Sequence, residues 1–148
     1  LKNKIKQHLQ QQGRQVQDEG TNSGESVDYP DYARSVGHDV SEQRADFGIL
    51  VCGSGIGMAI AANKVPGIRA ANVSSEYEAQ MSREHNNANV LTLGARILKE
   101  DEAVKIVDKW LATPFAGGRH ERRVEKITEI EKEETQPSAP SIPAARPN

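Results

Sequence analysis

The sequence lacks several features that mark particular classes of protein. It contains one cysteine, so no internal disulfide can form, and it gives no sign of an oxidising compartment. No apolar run approaches the roughly 20 residues that span a bilayer, and the first residues are polar and charged rather than signal-like. The formal net charge is only −2, so no chain-wide basic surface is available to nucleic acid. We therefore expect a soluble cytoplasmic protein with neither nucleic acid nor a membrane as its partner.

Metal-binding patterns and a conventional start are absent as well. The four histidines are dispersed and no Cys/His spacing matches a metal site, so we expect no metal. The chain opens at Leu1 without an initiator methionine, inside a predicted helix, and we expect it to be truncated at this end. Four of the seven prolines fall within residues 134–148. This composition predicts a disordered tail there and one folded domain over residues 1–133.

Hydrophobic patterning predicts helices and strands that alternate along the chain. Residues 47–52 are almost continuously apolar, as in a strand buried on both faces of a parallel sheet, and we expect this strand to be central. Asp28 and Tyr29 open the second helix as its N-cap and first turn, after a polar loop at 21–26. Other strands are predicted through residue 16 and at 68–73 and 90–93, with helices at 1–12, 29–43, 58–64, 75–84, 100–112 and 119–133. The alternation favours an α/β fold with a parallel sheet.

Three glycines, Gly53, Gly55 and Gly57, lie between the buried strand and the helix that follows it. Their backbone amides can turn toward a ligand and the helix N-terminus favours negative charge, so this segment is predicted to bind an anion. The spacing differs from the dinucleotide fingerprint, and no acidic residue stands about 20 positions later, so we expect no nicotinamide cofactor. Cys52 and Ser54 face the crevice where ligands of open α/β sheets bind. Taken alone, they would more often be a small core residue and a turn residue.

A second set of polar residues follows later in the chain. Residues 85–89 (HNNAN) hold more donors and acceptors than an ordinary turn needs, although a lone histidine there is also typical of a solvated loop. Arg119 and Arg123 stand at a four-residue helical spacing and emerge on one face, which suits a phosphate. Three glutamates on the same helix are possible ion-pair partners, so a solvated helix face is an equally good interpretation.

Six segments, taken in order, resemble ribose-5-phosphate isomerase type B and its relatives. They are residues 28–30 (DYP), 52–57 (CGSGIG), 60–64 (IAANK), 67–70 (GIRA), 82–86 (SREHN) and 117–120 (GGRH). The resemblance extends from residue 1 to about residue 131. It implies a Rossmann-like, doubly wound parallel sheet in three α/β/α layers, and a homodimer or dimer of dimers with shared active sites. It also implies an aldose–ketose isomerisation of a phosphorylated sugar without a cofactor.

The resemblance also implies catalytic roles, residue by residue. Cys52 resembles the base that moves a proton between two carbons through a cis-enediolate, and its thiolate would be stabilised by the adjacent helix N-terminus. Met58 occupies the position where another branch of the family places a glutamate base, which favours the cysteine. Ser54 resembles the hydroxyl that shifts a proton between the substrate oxygens. His85 resembles the acid that opens the furanose ring.

The remaining implied roles are contacts with the substrate. By this resemblance, the oxyanion hole is formed by Asn86 and by the amides of Gly53, Gly55, Ile56 and Gly57. The substrate phosphate is bound by Arg96, Arg119 and Arg123, and the last two arginines reach across from a neighbouring subunit. Asp28 and Tyr29 line the sugar pocket, although Asp28 can equally be only a helix cap.

One departure from the family and two alternative functions follow from the comparison. Family members begin with a strand followed by an Asp-His pair that nothing before Leu1 supplies, so we expect the first strand to be missing and this fragment alone to be inactive and poorly soluble. The leading function is the interconversion of ribose 5-phosphate and ribulose 5-phosphate. The alternatives are a subunit of a galactose-6-phosphate or allose-6-phosphate isomerase, and a non-catalytic phosphosugar-binding module in which Cys52 only packs.

Overall fold

The computed structural model describes residues 1–20 and 28–135. Its elements, in chain order, are α1 (Lys2–Gln11), α2 (Tyr29–Ser41), β1 (Gly48–Cys52), α3 (Ile56–Ala62), β2 (Ala70–Asn72), α4 (Glu76–Glu84), β3 (Val90–Gly94), α5 (Glu100–Ala112) and α6 (Arg119–Thr135). The predicted alternation of helices and strands is therefore confirmed. The predicted polar loop at 21–26 and the tail from residue 136 onward lie outside the described residues.

The three strands form one parallel sheet in the order β1-β3-β2. Gly48 pairs with Val90 at one edge of the sheet, and Cys52 pairs with Gly94 at the other. All carboxyl ends of the strands therefore meet at the same edge, as they do in any parallel sheet. The prediction that residues 47–52 form a central strand is wrong for the described sheet, because β3 is central and β1 is paired on one side only.

Helices cover both faces of this sheet. The core on one face contains Ile5, Leu9, Ala79, Leu91, Leu93, Ile106, Val107 and Trp110, which come from α1, α4, β3 and α5. The core on the other face contains Ala33, Val40, Leu50, Met58, Ala62 and Val90, which come from α2, α3, β1 and β3. Trp110 is fully buried, and burial of such a side chain contributes about 1.5–3 kcal/mol. The predicted three-layer α/β/α, Rossmann-like arrangement is thereby confirmed.

The strand predicted through Val16 does not form in the described part of the chain. Residues 14–19 run beside β1 without a ladder partner, while the Val16 side chain packs against the core that contains Leu9. A cleft of about 800 Å³ lies between this segment and β1. Val16 is partly buried, but a strand also requires a backbone partner, so the predicted strand is wrong for the described residues.

The final helix is long and mostly exposed. Of its side chains only Val124 is buried, and the helix continues through Glu134 and Thr135, which the sequence predicts to lie in the tail. Glutamate and lysine extend a helix at little cost, which explains the difference. Glu131 accepts a hydrogen bond from the Gly67 amide at 3.0 Å, so α6 lies against the residues that precede β2. None of the helices within residues 1–20 and 28–135 is long and apolar enough to cross a bilayer.

Candidate active site

The turn between β1 and α3 is shaped around the Cys52 thiol. Gly55 is the N-cap of α3 and has a φ of +82°, a conformation that glycine adopts without strain. Its amide donates a hydrogen bond to Cys52 Sγ at 3.1 Å, and the Ile56 amide donates one to Ser54 Oγ at 3.2 Å. Cys52 is half-buried and carries a free thiol. An amide donor at a helix N-terminus favours negative charge on the sulfur, so this turn can stabilise a thiolate.

The residues that follow β3 support the same turn. The Arg96 amide donates to the carbonyl oxygen of Gly53 at 3.0 Å. The Arg96 side chain lies directly over Gly53, since a β-carbon at that glycine would be 3.4 Å from Arg96 Cδ. A β-carbon on Gly94 would come within 2.7 Å of the Ser54 carbonyl oxygen, so the two loops touch closely. The predicted phosphate ligand Arg96 therefore lies beside the predicted base.

The start of α2 lies over the start of α3. A β-carbon on Gly57 would lie 2.5 Å from Tyr29 Oη, which places the phenol against the glycine turn, and the Tyr29 side chain is 43% exposed. Asp28 is the N-cap residue of α2, but its side chain makes no capping hydrogen bond. Its carbonyl oxygen instead accepts from the Asp31 amide at 3.1 Å. The predicted N-cap position of Asp28 is therefore confirmed, and its carboxylate is not used as a capping acceptor.

His85 lies at the end of α4 and stacks on His120. The two imidazole rings have centroids 4.1 Å apart and an interplanar angle of 12°. Desolvation, and then the positive charges of His85, Arg119 and Arg123, lower the pKa of His120 below its usual range. This histidine lies within the GGRH segment of the family resemblance, which implies no role for it. Only the stacking on His85 reveals that it belongs to the same cluster.

Arg119 and Arg123 stand in the first turns of α6 and are exposed. Neither guanidinium forms an ion pair with a carboxylate in the part of the chain that the structure describes. The glutamates of the same helix therefore make no ion pair with them, and the phosphate contact and the solvated helix face both stay predictions. Asn86 is also exposed, beside His85. The two guanidinium groups thus remain available to an anion, while Glu84 lies 4.0 Å from the His85 ring.

These residues form two groups at opposite edges of the sheet. The carboxyl-edge group contains Asp28, Tyr29, Cys52, Gly53, Ser54, Gly55, Ile56, Gly57 and Arg96, and the amino-edge group contains His85, Asn86, Arg119, His120 and Arg123. β2 ends at the carboxyl edge, α4 then returns to the amino edge, and His85 precedes Val90, the first residue of β3. The four steps between the five residues of β1, at about 3.3 Å each, put roughly 13 Å between the two edges. One chain therefore does not bring His85 to Cys52.

No three metal-ligating side chains cluster within the two described stretches of the chain. The donors that these two groups present are backbone amides, guanidinium groups, imidazoles, the Asn86 amide, the Cys52 thiol and the hydroxyls of Ser54 and Tyr29. This set of donors suits a phosphorylated, polyhydroxylated substrate, because the arginines match the phosphate and the amides match a developing oxyanion.

Comparisons with known proteins agree with this chemistry. A family model described as Ribose/Galactose Isomerase matches residues 1–127. Ribose-5-phosphate isomerase B of Escherichia coli is 50% identical over 132 residues, which are 89% of this chain and 89% of that protein. D-erythrulose-4-phosphate isomerase of Pectobacterium atrosepticum is 45% identical over 135 residues, 90% of this chain and 89% of that protein.

Solved structures resemble the fold closely. Ribose-5-phosphate isomerase B of Clostridium thermocellum superposes with a TM-score of 0.89 at 52% identity and covers 90% of both chains. The enzyme of Mycoplasma genitalium with bound ribulose-5-phosphate superposes with a TM-score of 0.86 at 46% identity, over 89% of this chain and 88% of that one. With its parallel sheet, its Cys52 turn and these likenesses, the chain belongs to the ribose/galactose isomerase family.

Proposed function

We propose that this chain interconverts ribose 5-phosphate and ribulose 5-phosphate through a cis-enediolate, with Cys52 as the base. The observation that carries the proposal is the 3.1 Å hydrogen bond from the Gly55 amide to Cys52 Sγ at the N-terminus of α3. The same turn therefore favours both a thiolate and the oxyanion that develops when the substrate loses a proton. The relatives at 43–50% identity include three that are named as certain or probable ribose-5-phosphate isomerase B.

The reaction moves one proton between carbons and one between oxygens. His85 assists ring opening, which exposes the aldehyde. The Cys52 thiolate removes the proton from C2, and the electron pair of that bond forms the C1–C2 double bond while O1 becomes an oxyanion held by the amides of the turn. Ser54 relays the O2 proton to O1, after which the Cys52 thiol returns its proton to C1. The C2 carbonyl forms, and no electron or proton is gained or lost.

We further propose a homodimer, or a dimer of dimers, in which each site combines groups from two copies. The separation between the two groups supports this assembly, because within one chain the base and the ring-opening acid lie at opposite edges of the sheet. Ile56, Ile60 and Ile97 are 54%, 58% and 61% exposed close to the carboxyl-edge group, and a second copy would cover such apolar surface. In this arrangement the partner supplies His85 and Asn86 as well as the two arginines of α6.

The phosphate of the substrate contacts Arg96 of one copy and the α6 arginines of the other. Other phosphosugars are less favoured, although one relative is named for a four-carbon substrate. Relative turnover on four-, five- and six-carbon sugar phosphates tests this choice, including the galactose-6-phosphate and allose-6-phosphate alternatives. A phosphorylated substrate also supports a cytoplasmic location, because its charge prevents passage through a bilayer.

Exchange of the C2 proton tests the base directly. Ribose 5-phosphate is incubated in D₂O with the protein, and deuterium at the substrate carbons is followed by NMR. Cys52→Ser is expected to slow exchange by about 10²–10⁴-fold, because a hydroxyl is a far weaker base than a thiolate. Exchange within a few-fold of the parent would refute the assignment. Binding of the sugar phosphate without any exchange in the parent would favour the non-catalytic module.

A further inference from the structure

Asn72 lies beneath the turn that holds the Cys52 thiol, although no sequence motif pointed to it. Asn72 is the last residue of β2, and a β-carbon at Gly55 would collide with the Asn72 side-chain oxygen. The same β-carbon would be 3.0 Å from the carbonyl carbon of Leu93. Asn72 and the β3 backbone therefore pack directly against Gly55.

Thr92 fixes the Asn72 side chain in this position. The two residues are paired across β2 and β3, and the Thr92 hydroxyl donates to Asn72 Oδ1 at 3.0 Å. Thr92 is fully buried, so its hydroxyl has little access to water as an alternative partner. The Asn72 side chain itself lies at an exposed strand end and would otherwise sample several rotamers. The buried Thr92 hydroxyl thus holds the exposed Asn72 side chain in one orientation against Gly55.

A continuous chain of contacts runs from this pair to the thiol. Thr92 orients Asn72, the Asn72 oxygen limits where Gly55 can lie, and the Gly55 amide donates to Cys52 Sγ at 3.1 Å. The strength of that last hydrogen bond depends on its distance and angle, so a small displacement of Gly55 weakens it. We propose that Asn72, held by Thr92, is a positioning residue that keeps the Gly55 amide aimed at the Cys52 thiolate. In catalysis this proposal rests on the proposed role of Cys52 as base.

The alkylation rate of the thiol tests the proposal without any need for isomerase activity. Cys52 is the only cysteine of the chain, so iodoacetamide reports on it alone. Asn72→Ala and Thr92→Val are expected to slow alkylation at pH 7 by about threefold to tenfold, the range expected for one lost neutral hydrogen bond. At pH 10, which is above the ordinary range of cysteine thiols in general, parent and variants are expected to react at the same rate. Equal rates at pH 10 would show that the variants change the stability of the thiolate and not the access of iodoacetamide to the sulfur.

Matched controls distinguish positioning from a merely structural role. Thr92→Val keeps the shape of the side chain and loses the hydroxyl, whereas Thr92→Ser keeps the hydroxyl, so Thr92→Ser is expected to react within about twofold of the parent. Combining Asn72→Ala with Thr92→Val is expected to add no further slowing, because both changes remove one interaction. Far-UV circular dichroism checks that each variant is folded.

The outcomes separate this proposal from the proposed function. Parental alkylation at pH 7 in Asn72→Ala, or equal slowing at pH 7 and pH 10, would overturn the positioning role. In the isomerisation assay, Asn72→Ala is expected to lower kcat at neutral pH by a factor similar to the alkylation effect, with recovery at higher pH and little change in KM. If the parent does not isomerise any sugar phosphate, the proposed function fails while the alkylation result still decides the role of Asn72.

Discussion

At the scale of single residues, the contact between Tyr29 and Gly57 offers a direct test of the sugar pocket. In Gly57→Ala the new β-carbon would lie 2.5 Å from Tyr29 Oη, and the 43% exposed phenol can turn outward to avoid it. Because alanine suits the first turn of α3, the free energy of unfolding is expected to stay within about 1 kcal/mol of the parent. The displaced phenol is expected to raise KM for ribose 5-phosphate by about tenfold, as measured by steady-state kinetics.

Tyr29→Ala is the matched control for this prediction. It removes the phenol without crowding the turn, and it is expected to raise KM to a similar extent. The double variant is expected to show no further rise, because both changes remove the same contact. A parental KM in Gly57→Ala would show that Tyr29 does not line the substrate pocket.

At the scale of elements, residues 14–20 are tied to the helices on either side of them. Lys2 Nζ lies 3.1 Å from an Asp18 oxygen, and the Ser35 hydroxyl donates to Glu19 at 3.2 Å. Desolvation, followed by the hydrogen bond and charge of Asp39, raises the pKa of Glu19 to about 7 from its ordinary value of 4.5. The folded state therefore holds this proton more tightly than the unfolded state does. The stabilisation that results is present below about pH 4.5 and is lost as the pH rises through about 7.

Glu19→Gln is consequently expected to raise the free energy of unfolding more at about pH 8 than at about pH 4. At pH 8 it removes a carboxylate that the fold disfavours, and a gain in unfolding free energy of at most about 1 kcal/mol is expected after solvent screening. At pH 4 the parent carboxyl is already neutral, so no gain is expected. Urea unfolding at the two pH values measures the difference. The control is Glu125→Gln on the exposed part of α6, and a Glu19 variant that behaves like it at both pH values would contradict the assignment.

At the scale of the whole molecule, the separation of the two groups predicts complementation between inactive variants. Cys52→Ser lacks the base at the carboxyl edge, and His85→Asn lacks the acid at the amino edge. In an equal mixture that exchanges subunits, half of the dimers are mixed, and each mixed dimer holds one site with both residues intact. About one quarter of the parental activity is therefore expected to return. Sites built from one chain alone would give no recovery.

A second mixture controls for nonspecific rescue. Cys52→Ser and Ser54→Ala each remove a group from the carboxyl edge of the same chain. Subunit exchange does not place an intact Cys52 and an intact Ser54 in one chain, so it does not restore a complete site. No recovery is expected from this pair. Size-exclusion chromatography with light scattering establishes the oligomeric state in the same samples.

The positions of the secondary structure elements were predictable because they depend on local patterns. The helix at 100–112 has the bounds that its periodicity predicts, and Gly13 ends the first helix with a φ of +82°. The two failures, at Val16 and for β1 as a central strand, both concern strand pairing. Pairing joins residues that are far apart in the chain, and a hydrophobic pattern does not contain this information.

For the site, the sequence by itself determined the family, the glycine turn and the residue types that carry the chemistry. These features are local, because a strand, three glycines and a helix N-terminus follow one another directly. Only the tertiary structure decided which residues share a location. It put His85 with Arg119 and Arg123 at the opposite edge from Cys52, stacked His120 on His85, and placed Asn72 under Gly55. The physical reason is that each of these relations depends on how parallel strands and returning helices pack, which fixes distances between residues that are remote in the chain.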